Sequence, residues 1–281
     1  MVILYAVEIL LNWAILFVIC GADSSAILPS ALIMVAFVGA GFTPVGEYFF
    51  RLAAGGRPMT GDEKARIAPV VESVLGRLNL NWVPEFWASD YPYPNGLATG
   101  RRTIVLTRSL VNDASPDELA GVIAHEIGHI RNGDTRWKVA AYMANAVGLA
   151  SAWLLTVAVA VAGFFASLAG FEALEGTSRG SGLSFMFIVG FFAMLAVWCL
   201  RALISLLKWL SRLGMLAADR ENEFRADRFA AESGYGAGLA SFLSRTAHLV
   251  PAQEGFWSNV YASHPPVAQR VERINQIVEK G

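Results

Sequence analysis

The chain has 281 residues, of which 55% are hydrophobic and only 16% are charged, against about 25% charged residues in an average soluble domain. Together with a mean hydropathy of +0.46, these values indicate a membrane protein. The net charge of −1, and the lack of a Lys/Arg cluster with interleaved aromatic residues, argue against a nucleic-acid partner.

Four apolar stretches are long enough to cross a lipid bilayer, which takes about 20 residues each. They run from Val2 to Cys20, from Ala26 to Gly46, within Val139–Ala169, and from Leu183 to Leu207. The two cysteines, Cys20 and Cys199, lie in these runs, and we expect small buried hydrophobic residues rather than a disulfide or a metal pair.

The spans divide the chain into a transmembrane hairpin (1–46), a polar segment (47–138), a second transmembrane hairpin (139–207) and a second polar segment (208–281). Lys and Arg are frequent in both polar segments, whereas the loops within the two hairpins contain only Arg179. The positive-inside rule therefore predicts a multi-pass membrane protein, with both polar segments and both termini in the cytoplasm.

The first polar segment contains helical and strand-like patterns in succession. Apolar residues at helical spacing predict a helix over residues 61–80, with Asp62 as its N-cap. "PEFWAS" and "RTIVLT" have the composition of short strands, and "DYPYPNGLATG" between them that of a turn region. We expect a mainly α (α+β) domain in which a small sheet packs on helices.

The stretch "SPDELAGVIAHEIGHIRNGD" has the start and stop signals of a helix. Ser115 and Glu118 have the spacing of a capping box, and Pro116 suits the first helical position. Asn132-Gly133 can end the helix with a left-handed residue.

Two of the four histidines of the chain lie on this helix. His125 and His129 are one turn apart and project side by side, which is the spacing that two ligands of one zinc ion need. Glu126 lies beside them, where it can reach a water on the metal, as in the HExxH helix of zinc metallopeptidases. The alternative is a chance match on an amphipathic helix.

A site of this kind needs a third protein ligand and an open position for water. The candidates are His248, His264 and an acidic residue. In "DRENEFRADRFAAESG", Glu223 and Asp227 are four residues apart and share a helix face. From spacing alone, this stretch is equally an ordinary solvated face with ion pairs.

"HEIGH", "ENEFRAD" and "SHPPVAQR", in this order, resemble the M48 metallopeptidases, in particular the HtpX-like bacterial membrane proteases. The family also has a Pro-Asn segment before an edge strand, which "PNGLATG" matches. The resemblance covers residues 95 to 270. It departs at Asp219, where the family often has Ser before an Arg such as Arg220.

The resemblance implies a zincin-type catalytic domain, formed by residues 47–138 and 208–281, with one Zn²⁺ per chain. It implies His125, His129 and Glu223 as metal ligands and Glu126 as general base. His264 would approach the substrate oxyanion or the open metal position, and Arg270 would brace the acidic helix through Asp227. Asn95, Gly96, Leu97 and Ala98, followed by "RRTIVLT", would offer an edge for an extended peptide.

The expected function is that of a membrane-embedded zinc endopeptidase, acting on membrane proteins or other protein substrates in quality control. A Ste24-like processing peptidase is an alternative, which the four expected spans disfavour because those enzymes have a larger cage of spans. A second alternative is a non-catalytic membrane protein with a structural zinc site. In such a site a fourth protein ligand, such as His264, would occupy the position that a catalytic zinc keeps open for water.

Overall fold

The computed structural model of the chain describes residues 2–172, 219–249 and 264–280, together with isolated positions between 190 and 206. Internal contacts divide the chain into two compact units. Unit 1 comprises Met1–Tyr5, Val38–Met143 and Met215–Gly281, and unit 2 comprises Ala6–Phe37 and Ala144–Gly214.

The described part is mostly helical and contains one small sheet. Its elements in chain order are α1 (Val2–Ile19), α2 (Ser24–Gly41), α3 (Pro44–Ala53), β1 (Gly56–Pro58), α4 (Gly61–Leu78), β2 (Glu85–Ser89), β3 (Gly96–Thr99), β4 (Thr103–Thr107), α5 (Arg108–Asp113), α6 (Pro116–Asn132), α7 (Asp134–Glu172), α8 (helical residues 219–230), a π-helical turn (Ala231–Tyr235), α9 (Gly236–Thr246) and α10 (Val267–Val278).

Two helices are long and apolar enough to cross a membrane, namely α2 and the Asp134–Phe165 part of α7. The apolar part of α1 is shorter and runs over Tyr5–Ile19. The fourth expected span, 183–207, lies largely outside the described residues. Two spans are therefore supported where four were expected.

The second expected span was too long, because its helix ends at Gly41 and not at Gly46. The chain then turns, and the Thr43 side chain caps the new helix α3 by accepting from the Val45 N–H, with Pro44 at the first position. The expected burial of Cys20 and Cys199 was also wrong, since both are exposed. An apolar side chain in a span is as well accommodated by lipid as by protein.

The sheet has the strand order β1-β2-β4-β3, in which β2 and β4 are parallel and the other pairs antiparallel. Both strands predicted from composition are present, as β2 and β4. Gly96–Thr99, which composition placed in a turn region and the family resemblance at a sheet edge, forms the strand β3 on β4. The segment "RRTIVLT" offers no edge, because β4 lies between β2 and β3 and all five of its residues are buried.

Helix α4 begins two residues earlier than the expected N-cap at Asp62 implies. Thr60, and not Asp62, is the N-cap, and Thr60 and Glu63 form a reciprocal capping box. Glu63 occupies the N3 position that this motif needs, whereas the residue three places after Asp62 is alanine. The sequence signal was therefore present two positions from the residue chosen.

Helix α6 lies in the centre of the core of unit 1. It packs against α9, β3 and α4, and its residues Ile123 and Ile127 are fully buried among apolar side chains. The predicted ends of α6 are confirmed: Ser115 and Glu118 form the capping box, and Gly133 ends the helix in the left-handed region with φ 75°. The core thus holds the histidine-bearing helix along its whole length.

Candidate metal centre and active site

Helix α6 brings His125, Glu126 and His129 into the interior of unit 1, where each is no more than 6% exposed. The two imidazole rings lie edge to face, with centroids 4.7 Å apart, and their Nε2 atoms are 3.2 Å apart. One turn of a well-capped helix therefore presents two nitrogen donors to a single point.

Helix α8 supplies the third donor, although some ninety residues of sequence separate it from α6. Glu223 is 2% exposed. Its Oε2 lies 3.5 Å from His125 Nε2, and its Oε1 lies 3.3 Å from His129 Nε2. The two helices approach closely at Gly128, where a Cβ atom would lie 3.1 Å from Ala226 Cα.

The outer nitrogens of both imidazoles face carboxylates. His125 Nδ1 lies 3.0 Å from Asp227 Oδ1, and His129 Nδ1 lies 2.8 Å from Asp134 Oδ2. Such partners fix the orientation of the ring and leave Nε2 free to act as a donor to a cation. Asp227 was predicted in this place, whereas Asp134 was missed. Its signal is an acidic residue directly after Gly133, the residue that ends α6.

The C-terminal segment completes the cluster. Arg270 binds Asp227 through two hydrogen bonds, Nε to Oδ2 at 2.8 Å and Nη2 to Oδ1 at 2.7 Å. Its Nη1 lies 3.1 Å from Glu223 Oε2. The predicted contact between Arg270 and Asp227 is therefore present, and one guanidinium joins Glu223 and Asp227 of α8.

His264 lies at the rim of the cluster, with its side chain 24% exposed and Nδ1 2.6 Å from Glu223 Oε2. His248, another early candidate for the third ligand, is exposed at the end of the segment after α9. Within the described residues, the metal-type group whose donor atoms all lie within 4.8 Å of one another contains His125, His129 and Glu223.

The electrostatic surroundings favour positive charge at this point. Burial lowers the pKa of His129, but its contacts with Asp134 and Glu223 outweigh burial and raise that pKa to about 10. Burial raises the pKa of Asp227, but Arg270 and His125 outweigh it and hold the pKa at about 2. In Glu223, His264 and Arg270 likewise overcome burial and bring the pKa well below its usual value.

These properties fit a zinc ion. Two imidazoles and one carboxylate are the donor types that zinc takes, and the three donor atoms lie within 4.8 Å of one another. Both imidazoles are oriented from behind by a carboxylate, as metal-bound histidines usually are.

Glu126 faces the edge strand β3. Its Oε2 accepts a hydrogen bond from the Ala98 N–H at 2.6 Å. At Gly96 a side chain would crowd this carboxylate, because a Cβ there would lie 3.1 Å from Glu126 Oε1 and 2.9 Å from Val122 Cγ1. Thus β3 and α6 are close enough for the strand backbone to position the carboxylate.

A cavity of about 370 Å³ opens beside these residues. Asn95, Glu126, His264 and Arg270 form its polar side. Its other walls are mainly apolar and include Val122, Leu239, Phe242, Leu243 and Val267. The cavity is therefore a place where an apolar group can lie next to Glu126 and the histidines.

Comparison with known proteins identifies the class. The model of peptidase family M48 matches residues 62–278, and the chain belongs to this family. A protease HtpX homolog of Tropheryma whipplei (strain Twist) is 31% identical over 276 residues, which cover 88% of this chain and 86% of that protein. A protease HtpX homolog of Dictyoglomus thermophilum is 28% identical over 274 residues, with 89% and 82% covered.

Among solved structures, Ste24p of S. mikatae is 21% identical with a TM-score of 0.48, and the match covers 87% of this chain but only 57% of that one. The family and the HtpX homologues confirm the resemblance found in the motifs. The chain is an HtpX-like M48 protease, and the predicted function of a membrane-embedded metalloprotease is confirmed at this level.

Proposed function

We propose that the protein is a zinc-dependent endopeptidase in which His125, His129 and Glu223 hold one zinc ion per chain. The observation that carries this proposal is the convergence of three buried donor residues, whose ligand atoms all lie within 4.8 Å of one another. His264 is not in that three-residue group among the described residues, which supports an open fourth position and disfavours a closed structural site.

A zinc ion held there supplies Lewis-acid chemistry, which lowers the pKa of water and polarises a carbonyl oxygen. The residues around it hold the donors still. Asp227 and Asp134 fix the rings of His125 and His129 by their outer nitrogens, and Arg270 fixes Asp227 in turn. Catalytic groups must be held within roughly 0.5 Å of their productive positions, and hydrogen bonds from supporting residues of this kind hold them there.

Glu126 acts as the general base. It takes one proton from the attacking water as the oxygen adds to the peptide carbonyl carbon, and it delivers that proton to the leaving amine as the C–N bond breaks. The Ala98 N–H holds the Glu126 carboxylate on the side of β3, where a substrate strand would lie.

His264 stabilises the negative charge that develops on the carbonyl oxygen. Its side chain lines the same cavity as Glu126, and it is only partly exposed. An imidazole N–H in this position donates to the oxyanion and not to the ground-state peptide, which is the condition for a catalytic gain.

The edge of β3 binds the substrate backbone. Thr107 N–H donates to Asn95 C=O, and in an antiparallel ladder this register turns the polar backbone groups of Gly96 and Ala98 away from β4. An extended peptide can donate hydrogen bonds to the C=O groups of Gly96 and Ala98 as a further strand, while the N–H groups of these two residues stay bonded to Asn95 Oδ1 and Glu126 Oε2. The backbone groups of Leu97 face β4, and Asn95 contributes through the cavity wall.

The apolar cavity next to Glu126 then receives one substrate side chain beside the scissile bond. Phe242 and Leu243 of α9 and Val122 of α6 line it, so a large aliphatic or aromatic side chain gains most from burial there. Such segments occur in membrane proteins, which fits quality control at the inner membrane, with the catalytic unit and both termini in the cytoplasm.

The test uses the full chain in detergent and compares wild type with Glu126→Gln and with Glu72→Gln, a matched change on the exposed face of α4. Zinc content and casein cleavage are measured on the same samples. We expect Glu126→Gln to keep its zinc and to lose about 100-fold or more of its cleavage rate, while Glu72→Gln matches wild type. Cleavage by Glu126→Gln at the wild-type rate would disprove the general-base role.

A further inference from the structure

A second cavity of unit 1, of about 870 Å³, is lined by charged and aromatic residues outside the candidate active site. It lies among α3, the loop before β2, the β3–β4 turn and the junction of α6 and α7. Its charged lining consists of five arginines and two glutamates: Arg51, Arg101, Arg102, Arg131, Arg136, Glu47 and Glu85. The lining is therefore strongly positive.

The two glutamates do not neutralise the arginines. Glu85 pairs with Arg102 at 2.7 Å. Glu47 accepts from the backbone N–H of Arg101 and from Thr103 Oγ1, so its charge serves to fix the β3–β4 turn. Among the described residues, no carboxylate lies within ion-pair distance of the guanidiniums of Arg101, Arg131 or Arg136.

Arg136 is the most informative of these side chains. Its Nε is fully shielded from solvent and has no hydrogen-bond partner among the described residues. A buried donor without a partner costs free energy, so the Arg136 side chain, which lines the cavity, gains by turning toward an acceptor that enters it. Planar guanidiniums bind phosphate oxygens with paired hydrogen bonds, so an anionic phosphate group is the ligand type that this lining matches.

The helix α3 at the mouth of the cavity has an apolar exposed face. Gly46 and Phe50 are buried, whereas Tyr48, Phe49 and Leu52 are each about half exposed. Exposed aromatic residues beside arginines are typical of helices that lie in the headgroup region of a bilayer.

Chain connectivity places this cavity where candidate spans end. Helix α3 begins three residues after α2 ends at Gly41, and Arg136 is in the first turn of α7. The last turn of α2 and the first part of α7 meet within unit 1, since a Cβ on Gly41 would overlap Ala140. Both candidate spans therefore leave unit 1 close to the arginines.

We propose that this cavity binds the phosphate headgroup of an anionic phospholipid, with the acyl chains along the exposed face of α3. A soluble anion or an acidic peptide would match the arginines but would leave the apolar face of α3 without a role. A lipid matches both, and basic pockets at the cytoplasmic ends of spans are suited to such headgroups.

The experiment measures binding of a short-chain phosphatidylglycerol to the full chain in neutral detergent by native mass spectrometry. The test variant is Arg101→Gln/Arg136→Gln. The control, Arg66→Gln/Arg77→Gln, removes the same charge from α4, outside the cavity. At the usual contribution of one basic residue near a headgroup, we expect about thirty-fold weaker binding for the test variant and wild-type binding for the control.

Three results would overturn the proposal: equal loss in both double variants, inorganic phosphate that competes with the lipid at equal concentration, or an acidic peptide that binds more tightly than the lipid. Phosphatidylcholine should bind without any difference among the variants. Thermal unfolding in neutral detergent verifies the fold, and if Arg136→Gln proves unstable, Arg101→Gln/Arg131→Gln repeats the test with two exposed residues.

Discussion

The close approach of α6 and α8 at Gly128 can be tested by adding a single methyl group. In Gly128→Ala the new Cβ would lie 3.1 Å from Ala226 Cα and 3.1 Å from Phe229 Cδ1, whereas carbon atoms pack best about 3.5–4.0 Å apart. The two helices must therefore separate by roughly 0.5 Å, and this shift moves Glu223 away from His125 and His129.

The Gly128→Ala change should lower both the stability and the activity, by free energies of similar size. Alanine favours a helix by about 1 kcal/mol over glycine, and overpacking costs about 1–3 kcal/mol, so the free energy of unfolding should fall by no more than about 2 kcal/mol. A 1 Å misplacement of catalytic groups can cost about 100-fold in rate. A shift of half that size should then lower kcat/KM about ten-fold.

The assay is cleavage of labelled casein at 25 °C, with zinc content and thermal unfolding measured on the same samples. Gly76→Ala is the matched control, because Gly76 lies on the exposed face of α4 and a Cβ there has nothing within 4 Å. It should raise stability by about 1 kcal/mol and leave activity unchanged. Wild-type kcat/KM and zinc content in Gly128→Ala would refute the reasoning.

Three further predictions concern stability and metal binding. Gly121→Ala should lower the free energy of unfolding by about 2 kcal/mol or more, because its Cβ would overlap the backbone of Leu239; an unchanged melting temperature would contradict this packing. Asp134→Asn should weaken zinc binding about 10–100-fold in metal-buffered titrations, and unchanged affinity would exclude its orienting role. The hydrogen bond from Arg57 lowers the pKa of Glu63 to about 2, although burial acts in the opposite direction. Because the pKa of Glu63 is lower in the folded state, the ion pair stabilises the fold above about pH 4.5, and this contribution is lost as the pH falls toward 2. The melting temperature of Glu63→Gln should therefore lie below wild type at pH 7, and the difference should shrink in acid.

The features that the sequence predicted correctly depend on neighbouring residues. The ends of α6 follow from Ser115, Glu118 and Gly133, each of which acts within one turn of its own position. The side-by-side placement of His125 and His129 follows from helix geometry alone. Such features need no knowledge of the rest of the fold.

The features that the residue pattern alone could not predict depend on contacts distant in sequence. "PYPNG" has the composition of a turn, but Gly96–Thr99 becomes a strand because β4 pairs with it. The spacing of Glu223 and Asp227 does not distinguish a metal ligand from a residue on a solvated helix face. The burial of Glu223 follows from the packing of α8 on α6, and only the family resemblance predicted Glu223 as a ligand. Asp134 reaches His129 because the chain leaves the helical path at Gly133, where φ is 75°.

The order of the cluster along the chain has a consequence for biosynthesis. The paired imidazoles on α6 are translated first, whereas Glu223 comes far later and Arg270 lies on the last helix, α10. Almost the whole polypeptide must therefore be synthesised before Glu223 and Arg270 can contact the histidines. The cluster is therefore incomplete in a nascent chain until α10 has been made, and a chain that stops before α10 lacks the Arg270 contacts with Asp227 and Glu223.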